Sequence, residues 1–360
     1  MSSVDVDIDT AKGEAFAERM MGLLNDGFLG FLVSIGHRTG LFDTLAEIGP
    51  AQSEAVATSA RLHERYVREW LGAMVLGRIV EFEPEERTYS LPAEHGAFLT
   101  RAAGSDNLAF FTQYLRMLGA VESDVVSCFH NGGGVGYDCY PEFQQLQAEE
   151  SARFFDEALA SVVLPLAPGL VERLRSGIDV VDLGTGQGHA VNLMAREFPK
   201  SRFLGLDFAE DAIAVGRAEA EQWGLTNARF EAVDVTKPIS GRFDLATAFD
   251  VVHDLSDAQG TLSHIAKALR PGGVFLMMDM AGSSHLEENM DHPVGPLLYT
   301  ASVMHCMTVS LAQHGEGLGT MWGEETAQNY LARAGFTDIE VHHLECDPMH
   351  AFYVTRAPSS

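Results

Sequence analysis

The chain is poor in positive charge. Its 360 residues carry 24 Lys plus Arg against 51 Asp plus Glu, a formal charge of -27. Such a surface repels a polyphosphate backbone instead of displacing its counterions, so no nucleic-acid partner is expected. Paired cysteine motifs are also missing. Cys128, Cys139, Cys306 and Cys346 are scattered without CxxC spacing, which signals neither a zinc site nor a disulfide framework. No carboxylate-histidine cluster has ligand spacing, so no metal is expected. Long apolar runs are absent too. The longest early one, GFLGFLVSIG, lies between Asp26 and the His37-Arg38 pair, and the opening MSSVDVDIDT is acidic where a secretion signal is basic. The composition reads as a cytoplasmic chain with no membrane partner. Its 46% hydrophobic residues suffice for two packed domains.

Three zones differ in pattern. Residues 1–104 are mostly helical and open on the amphipathic stretch EAFAERMMGLLNDGFLGFLVSIGHRTG, which should stop at Gly40. SEAVATSA then reads as a short helix, LHERYVREWLGAMVLGRIV as a longer one, and EFEPEERTYSLP as two short strands around a polar turn. That order is a winged helix. Its recognition helix carries Tyr66, Trp70, Leu71 and Met74 at helical spacing and its wing is acidic, which favours a packing or dimerisation module over a DNA reader. Residues 105–176 form a helical connector, interrupted by the glycine- and tyrosine-rich FHNGGGVGYDCYPEF, which suits a loop covering an active-site cleft.

Residues 177–360 alternate strands and helices. IDVVDLG, SRFLGLD, ARFEAVD, FDLATAFD and GGVFLMMD are strand-length runs, apolar on both faces, as parallel strands covered by helices must be. DIEVHHLEC and MHAFYVTR are separated by only two residues, which favours an antiparallel hairpin at the sheet edge. The expected fold is α/β: a Rossmann-like sheet of five parallel strands plus a terminal antiparallel pair, preceded by the α-rich winged-helix domain.

The first of these strands runs into VVDLGTGQGHA, where Gly184, Gly186 and Gly188 permit a tight turn and close approach of a ligand to a helix N-terminus. A dinucleotide loop of the GxGxxG type would put its third glycine where His189 stands. Asp182 precedes the glycines. The second strand ends at Asp207-Phe208, where a carboxylate would take ribose hydroxyls. The third ends at Asp234-Val235, offering a carboxylate and an N–H to an adenine edge, and the fourth at Phe249, a ring to lie on the purine. Each of these acids also suits a helix N-cap, and Phe249 suits plain core packing. Together they line one crevice and specify an adenosine.

With ERYVREWLGA, DLGTGQGHA, FDVVHDLSD, LRPGG, GLGTMWGEE and AGF in place, the chain resembles class I S-adenosylmethionine-dependent methyltransferases with an N-terminal winged-helix domain. The nearest likeness is to bacterial small-molecule enzymes best known from mycobacteria. Plant-type O-methyltransferases resemble it more loosely, through a winged-helix dimerisation half and an HDW-type motif in which Leu255 here replaces the Trp. The resemblance implies S-adenosylmethionine as cofactor, a homodimer built through the N-terminal domain, and His253 as general base beside Asp254. Asp279, after the fifth strand, is a candidate to orient that base.

A small-molecule acceptor, most readily a hydroxyl oxygen, would lie near Tyr137 and Tyr140 and along the face of PLLYTASVMHCMTVSLAQHG that carries Tyr299, Ser302, His305 and Cys306. Cys306 raises thiol or arsenic chemistry as an alternative. Two rival readings keep the sequence pattern. One is a winged-helix DNA-binding regulator with S-adenosylmethionine as effector, and the other a cofactor-binding homologue that transfers no methyl group.

Overall fold

The computed structural model describes residues 8–358, and the chain divides into two compact units after Arg116. The division falls later than 104 because Ala109 packs into the first unit's core. The stretch expected as one connector is thereby shared between the units. The first seven residues of the expected N-terminal domain lie outside those described.

In the first unit, helix α1 (Thr10–Thr39) starts where the Asp9 side chain accepts the Lys12 amide, and stops at Gly40, whose φ of 72° no bulky residue adopts without strain. Helices α2 (Leu41–Ile48), α3 (Ser53–Ala60) and α4 (Glu64–Leu76) follow, and then strands β1 (Glu81–Glu83) and β2 (Thr88–Ser90), paired antiparallel. This is the winged-helix order. Trp70, Leu71 and Met74 face inward, with the Trp70 ring edge-on to Phe42 at 5.2 Å and its Nε1–H donating to the Leu32 carbonyl at 2.8 Å. Tyr66 is 79% exposed instead. The arginines of α4 pair with glutamates of the same helix, Arg65 with Glu69 and Arg68 with Glu64. Along α1, Phe16, Met21, Leu23, Leu24 and Phe28 lie open.

The second unit is built on a seven-stranded sheet of order β5-β4-β3-β6-β7-β9-β8. Its strands are β3 (Asp179–Leu183), β4 (Arg202–Asp207), β5 (Ala228–Ala232), β6 (Phe243–Phe249), β7 (Leu269–Met280), β8 (Thr337–Leu344) and β9 (Asp347–Arg356). The first five are parallel; β9 runs antiparallel to β7 and to β8. The terminal hairpin is therefore antiparallel as expected, but only β8 forms the edge, because β9 inserts beside β7. Apolar cores fill both faces, one around Val180, Leu245, Leu276 and Phe352, the other around Val181, Ala246, Phe275 and Tyr353. Alternation of these side chains along each strand explains the doubly apolar sequence runs. Strand order reverses between β3 and β6, which opens a crevice at their C-terminal ends. Among the described residues no single helix is long and apolar enough to cross a membrane.

Candidate functional site

The cleft opens at that switch point, within the second unit, with about 1000 Å³ of atom-free space including its open mouth. Gly184, Gly186 and Gly188 have φ of 63°, 53° and 74°, so all three sit where L side chains are strained. Their surroundings differ. A Cβ on Gly188 would stand 2.3 Å from Phe230 Cε1 and one on Gly184 2.4 Å from Val251 Cγ2, whereas one on Gly186 would meet only Gln144 Oε1 at 3.8 Å. The outer glycines are required by packing, and the middle one leaves space over its backbone.

Asp207 braces this loop. Its Oδ2 accepts the Gly186 amide at 2.8 Å and its Oδ1 the Ala209 amide at 2.9 Å; lone pairs remain on both oxygens for a ligand hydroxyl. Asp182 is 3% exposed and accepts the Thr247 hydroxyl at 2.5 Å. Burial pushes its carboxyl up to about 6, against the opposing pull of Thr247 and Thr185. Phe208 and Val235 join these residues on the lining, as does Phe249, whose ring lies 4.9 Å from that of Phe155.

Asp234 is not brought there. Because β5 ends at Ala232, Asp234 falls in the following turn, where it accepts the Thr236 amide and hydroxyl and pairs with Lys237. The hydrogen bond from the Thr236 hydroxyl, with smaller help from Lys237, lowers its carboxyl below the usual range.

His253 and Asp254 lie on a short 3-10 turn after β6. His253 is 2% exposed and both ring nitrogens are engaged. Nδ1–H donates to Asp279 Oδ1 at 2.7 Å, and Nε2 faces Asp254 Oδ1 at 3.3 Å. Asp279, in β7, also accepts Trp322 Nε1–H at 3.0 Å and the Met280 amide at 2.9 Å. Burial alone disfavours the imidazolium, but the Asp279 and Asp254 carboxylates outweigh it and raise His253 well above the usual histidine range. Asp254, not His253, borders the cleft, and its Oδ2 accepts the Tyr137 hydroxyl at 3.0 Å.

Of the expected acceptor-site residues, only Tyr137 lines the cleft. Its ring packs on Phe143, Phe208 and His305 at 5.3–5.5 Å. Tyr140 donates its hydroxyl to the Met304 carbonyl and packs edge-on to His305 at 4.6 Å, and Ser302, His305 and Cys306 are buried. Tyr299 is half-exposed outside the cleft. The cause is local. The helical run Gly295–Ala312 contains a π turn at Ser302–Cys306, which shifts the side-chain phase that a regular helix would give. Burial lowers His305 to about 4 and pushes the Cys306 thiol up to about 12.

Several lining residues escaped sequence reasoning. Gln144 and Gln147 come from the helix Phe143–Ala158, whose only signal was its position after the glycine-rich loop. His189, standing where a third glycine would be, lies between Glu219 Oε1 at 2.8 Å and Asp156 Oδ1 at 3.1 Å. Asp250 has a left-handed φ of 55° and an ion-pair contact of 3.0 Å with His350 Nε2 of β9, whose Nδ1 lies 2.7 Å from Asp347. A nucleoside carrying positive charge fits these residues: the space over Gly186 admits it and buried acids surround it.

Residues 27–101 match the model of the Rv2258c-like winged HTH domain and residues 174–335 that of a methyltransferase domain. The trans-aconitate 2-methyltransferase of Deinococcus radiodurans is 36% identical over 111 residues, which cover 31% of this chain and 41% of that relative. The chain thus spans less than half the length of that protein. Human N-acetylserotonin methyltransferase, solved in complex with S-adenosylmethionine, superposes with a TM-score of 0.70 at 17% identity, covering 99% of this chain and 100% of that one. An O-methyltransferase family protein from Burkholderia thailandensis superposes with a TM-score of 0.67 at 15% identity, over 96% and 98%. At such identities the likeness is one of fold.

Proposed function

Because the chain joins a winged-helix domain to a methyltransferase domain of the S-adenosylmethionine-dependent class, we propose that it methylates a hydroxyl oxygen of a small molecule. The observation that carries this reading is the continuity of one cleft, from the Gly186–Asp207 cradle to Asp254 with His253 and Asp279 behind it. When bound, S-adenosylmethionine supplies a methyl group on a positively charged sulfur. Gly184, Gly186 and Gly188 give backbone access, Asp207 accepts ribose hydroxyls, Asp182 and Val235 line the floor, and Phe208 and Phe249 offer ring faces. Asp234 contributes only as the cap of its turn.

The acceptor hydroxyl takes the place of the Tyr137 hydroxyl on Asp254 Oδ2. Its proton passes to the Asp254–His253 pair, with His253 as general base and Asp279 fixing the Nδ1–H tautomer. Enclosure by Tyr137, Phe143 and Phe208 excludes water and aligns the nucleophile, which supplies most of the rate because the sulfonium is already activated. In this reading Tyr140, Ser302, His305 and Cys306 shape the acceptor pocket from behind Tyr137, and Tyr299 flanks its rim.

The open apolar face of α1 supports a homodimer formed through the first unit. The internal ion pairs of α4 and the acidic composition favour packing over DNA binding, and four free cysteines suit a cytoplasmic location. The test is release of S-adenosylhomocysteine from a library of hydroxyl, amine and thiol acceptors. Turnover confined to hydroxyls is expected; calorimetry showing no binding of S-adenosylmethionine at millimolar concentration would end the reading.

A further inference from the structure

Behind the cleft, two segments distant in sequence bring two donor pairs together: His253 and Asp254 after β6, and His305 and Cys306 in the π turn. Asp254 Oδ1 is buried without a hydrogen-bond partner, yet it faces His253 Nε2 at 3.3 Å. His253 Nε2 and Asp254 Oδ1 thus converge from two side chains on one point, the place a metal cation would take in exchange for a proton.

A third donor stands beside them. The ligand atoms of His253, Asp254 and Cys306 all lie within 4.8 Å of one another. His305 Nδ1 is 3.5 Å from Cys306 Sγ and 4.0 Å from Asp254 Oδ2. A tetrahedral zinc ion with bonds of about 2.0–2.3 Å holds its ligands roughly 3.3–3.8 Å apart, so the atoms of His253, Asp254 and Cys306 would draw together by up to about 1.5 Å to share one ion. The surroundings match as well. Asp279 on His253 Nδ1 is the carboxylate that metal-bound histidines regularly have behind them. π turns recur at functional sites, and here the turn delivers a thiol and an imidazole that methyl transfer to a hydroxyl does not need.

We propose that His253 Nε2, Asp254 Oδ1 and Cys306 Sγ bind a thiophilic divalent cation, Zn2+ above all, with His305 Nδ1 as fourth ligand, and that the bound ion blocks methyl transfer by occupying the base. Binding forms the metal–sulfur bond as the Cys306 thiol proton leaves to solvent. The expectation of no metal rested on spacing within single segments, which a site assembled from two segments evades. The blocking role rests on His253 being the base; the ligand set does not.

The probe is Co2+ added to full-length protein carrying Cys128→Ser, Cys139→Ser and Cys346→Ser, so that Cys306 is the one remaining thiol. A thiolate-to-cobalt charge-transfer band at one equivalent, displaced by Zn2+ and lost on further Cys306→Ser substitution, is expected, with circular dichroism verifying the fold of each variant. Asp279→Asn should weaken Co2+ binding about 10- to 100-fold. No band in the triple variant, or a band that survives Cys306→Ser, overturns the site. S-adenosylmethionine binding and S-adenosylhomocysteine release are measured on the same samples. Turnover by the metal-free protein with no band on adding Co2+ sinks the metal site alone; a band in protein that fails to turn over even when metal-free sinks the enzymatic reading and leaves the site standing; turnover undiminished at one equivalent of Co2+ sinks the blocking role.

Discussion

Replacing His253 by Ala separates its chemical part from its structural one. Loss of a general base costs roughly 10² to 10⁴ in rate, which corresponds to about 2.7–5.5 kcal/mol of barrier. The fold also suffers. Asp279 is fully buried and would keep only the Trp322 and Met280 donors, and breaking a buried charge pair costs about 3–5 kcal/mol. The companion variant His253→Ala/Asp279→Asn removes the stranded charge, so it should melt higher than His253→Ala while remaining equally inactive. Single-turnover S-adenosylhomocysteine formation, with cofactor affinity measured by calorimetry, reads the two parts separately. Turnover within a factor of ten of the unsubstituted protein, at unchanged cofactor affinity, would refute the assignment of His253 as base.

Gly186→Ala should cost the fold only about 1–2 kcal/mol of left-handed strain yet lower S-adenosylmethionine affinity by about tenfold or more, whereas Gly188→Ala, which drives a Cβ into Phe230, should chiefly lower the melting temperature. Since Asp279 and Asp254 hold His253 above its ordinary value, the rate should rise with pH through an inflection above the usual histidine range, and Asp279→Asn should move that inflection to lower pH. In the same sense, the stability contributed by the imidazolium is complete below pH of about 6.5 and lost as pH rises through the higher folded value, which urea titrations across pH will register. Tyr137→Phe abolishes the hydroxyl bond to Asp254, so the KM for the acceptor should fall by up to about tenfold, and an unchanged KM would show that no exchange occurs there. Phe28→Glu on the open face of α1 should convert a dimer to monomer in sedimentation velocity.

Features set by backbone rules were the legible ones. The glycine series could be read because left-handed φ at three positions admits little else, and the strands because burial on both faces leaves no polar alternation. The two-residue link already implied the terminal hairpin, although the turn falls at Glu345 and Cys346 and not after them. What depends on register was hidden. Asp279 meets His253 because β7 pairs with β6 so that Met278 lies opposite Phe249, a relation absent from either segment alone. Likewise the early end of β5, which sets Asp234 in a turn, and the π turn at Ser302–Cys306 carry no mark in residue propensity.

The pairing of His350 with Asp250 ties β9 to the rim of the cleft. A ribosome delivers residues in order, so the glycine loop and its supporting acids emerge long before β9 can wedge in beside β7. A nascent chain would therefore hold an unfinished cradle until β9 has emerged, and competence to capture ligand should switch on abruptly once that strand inserts.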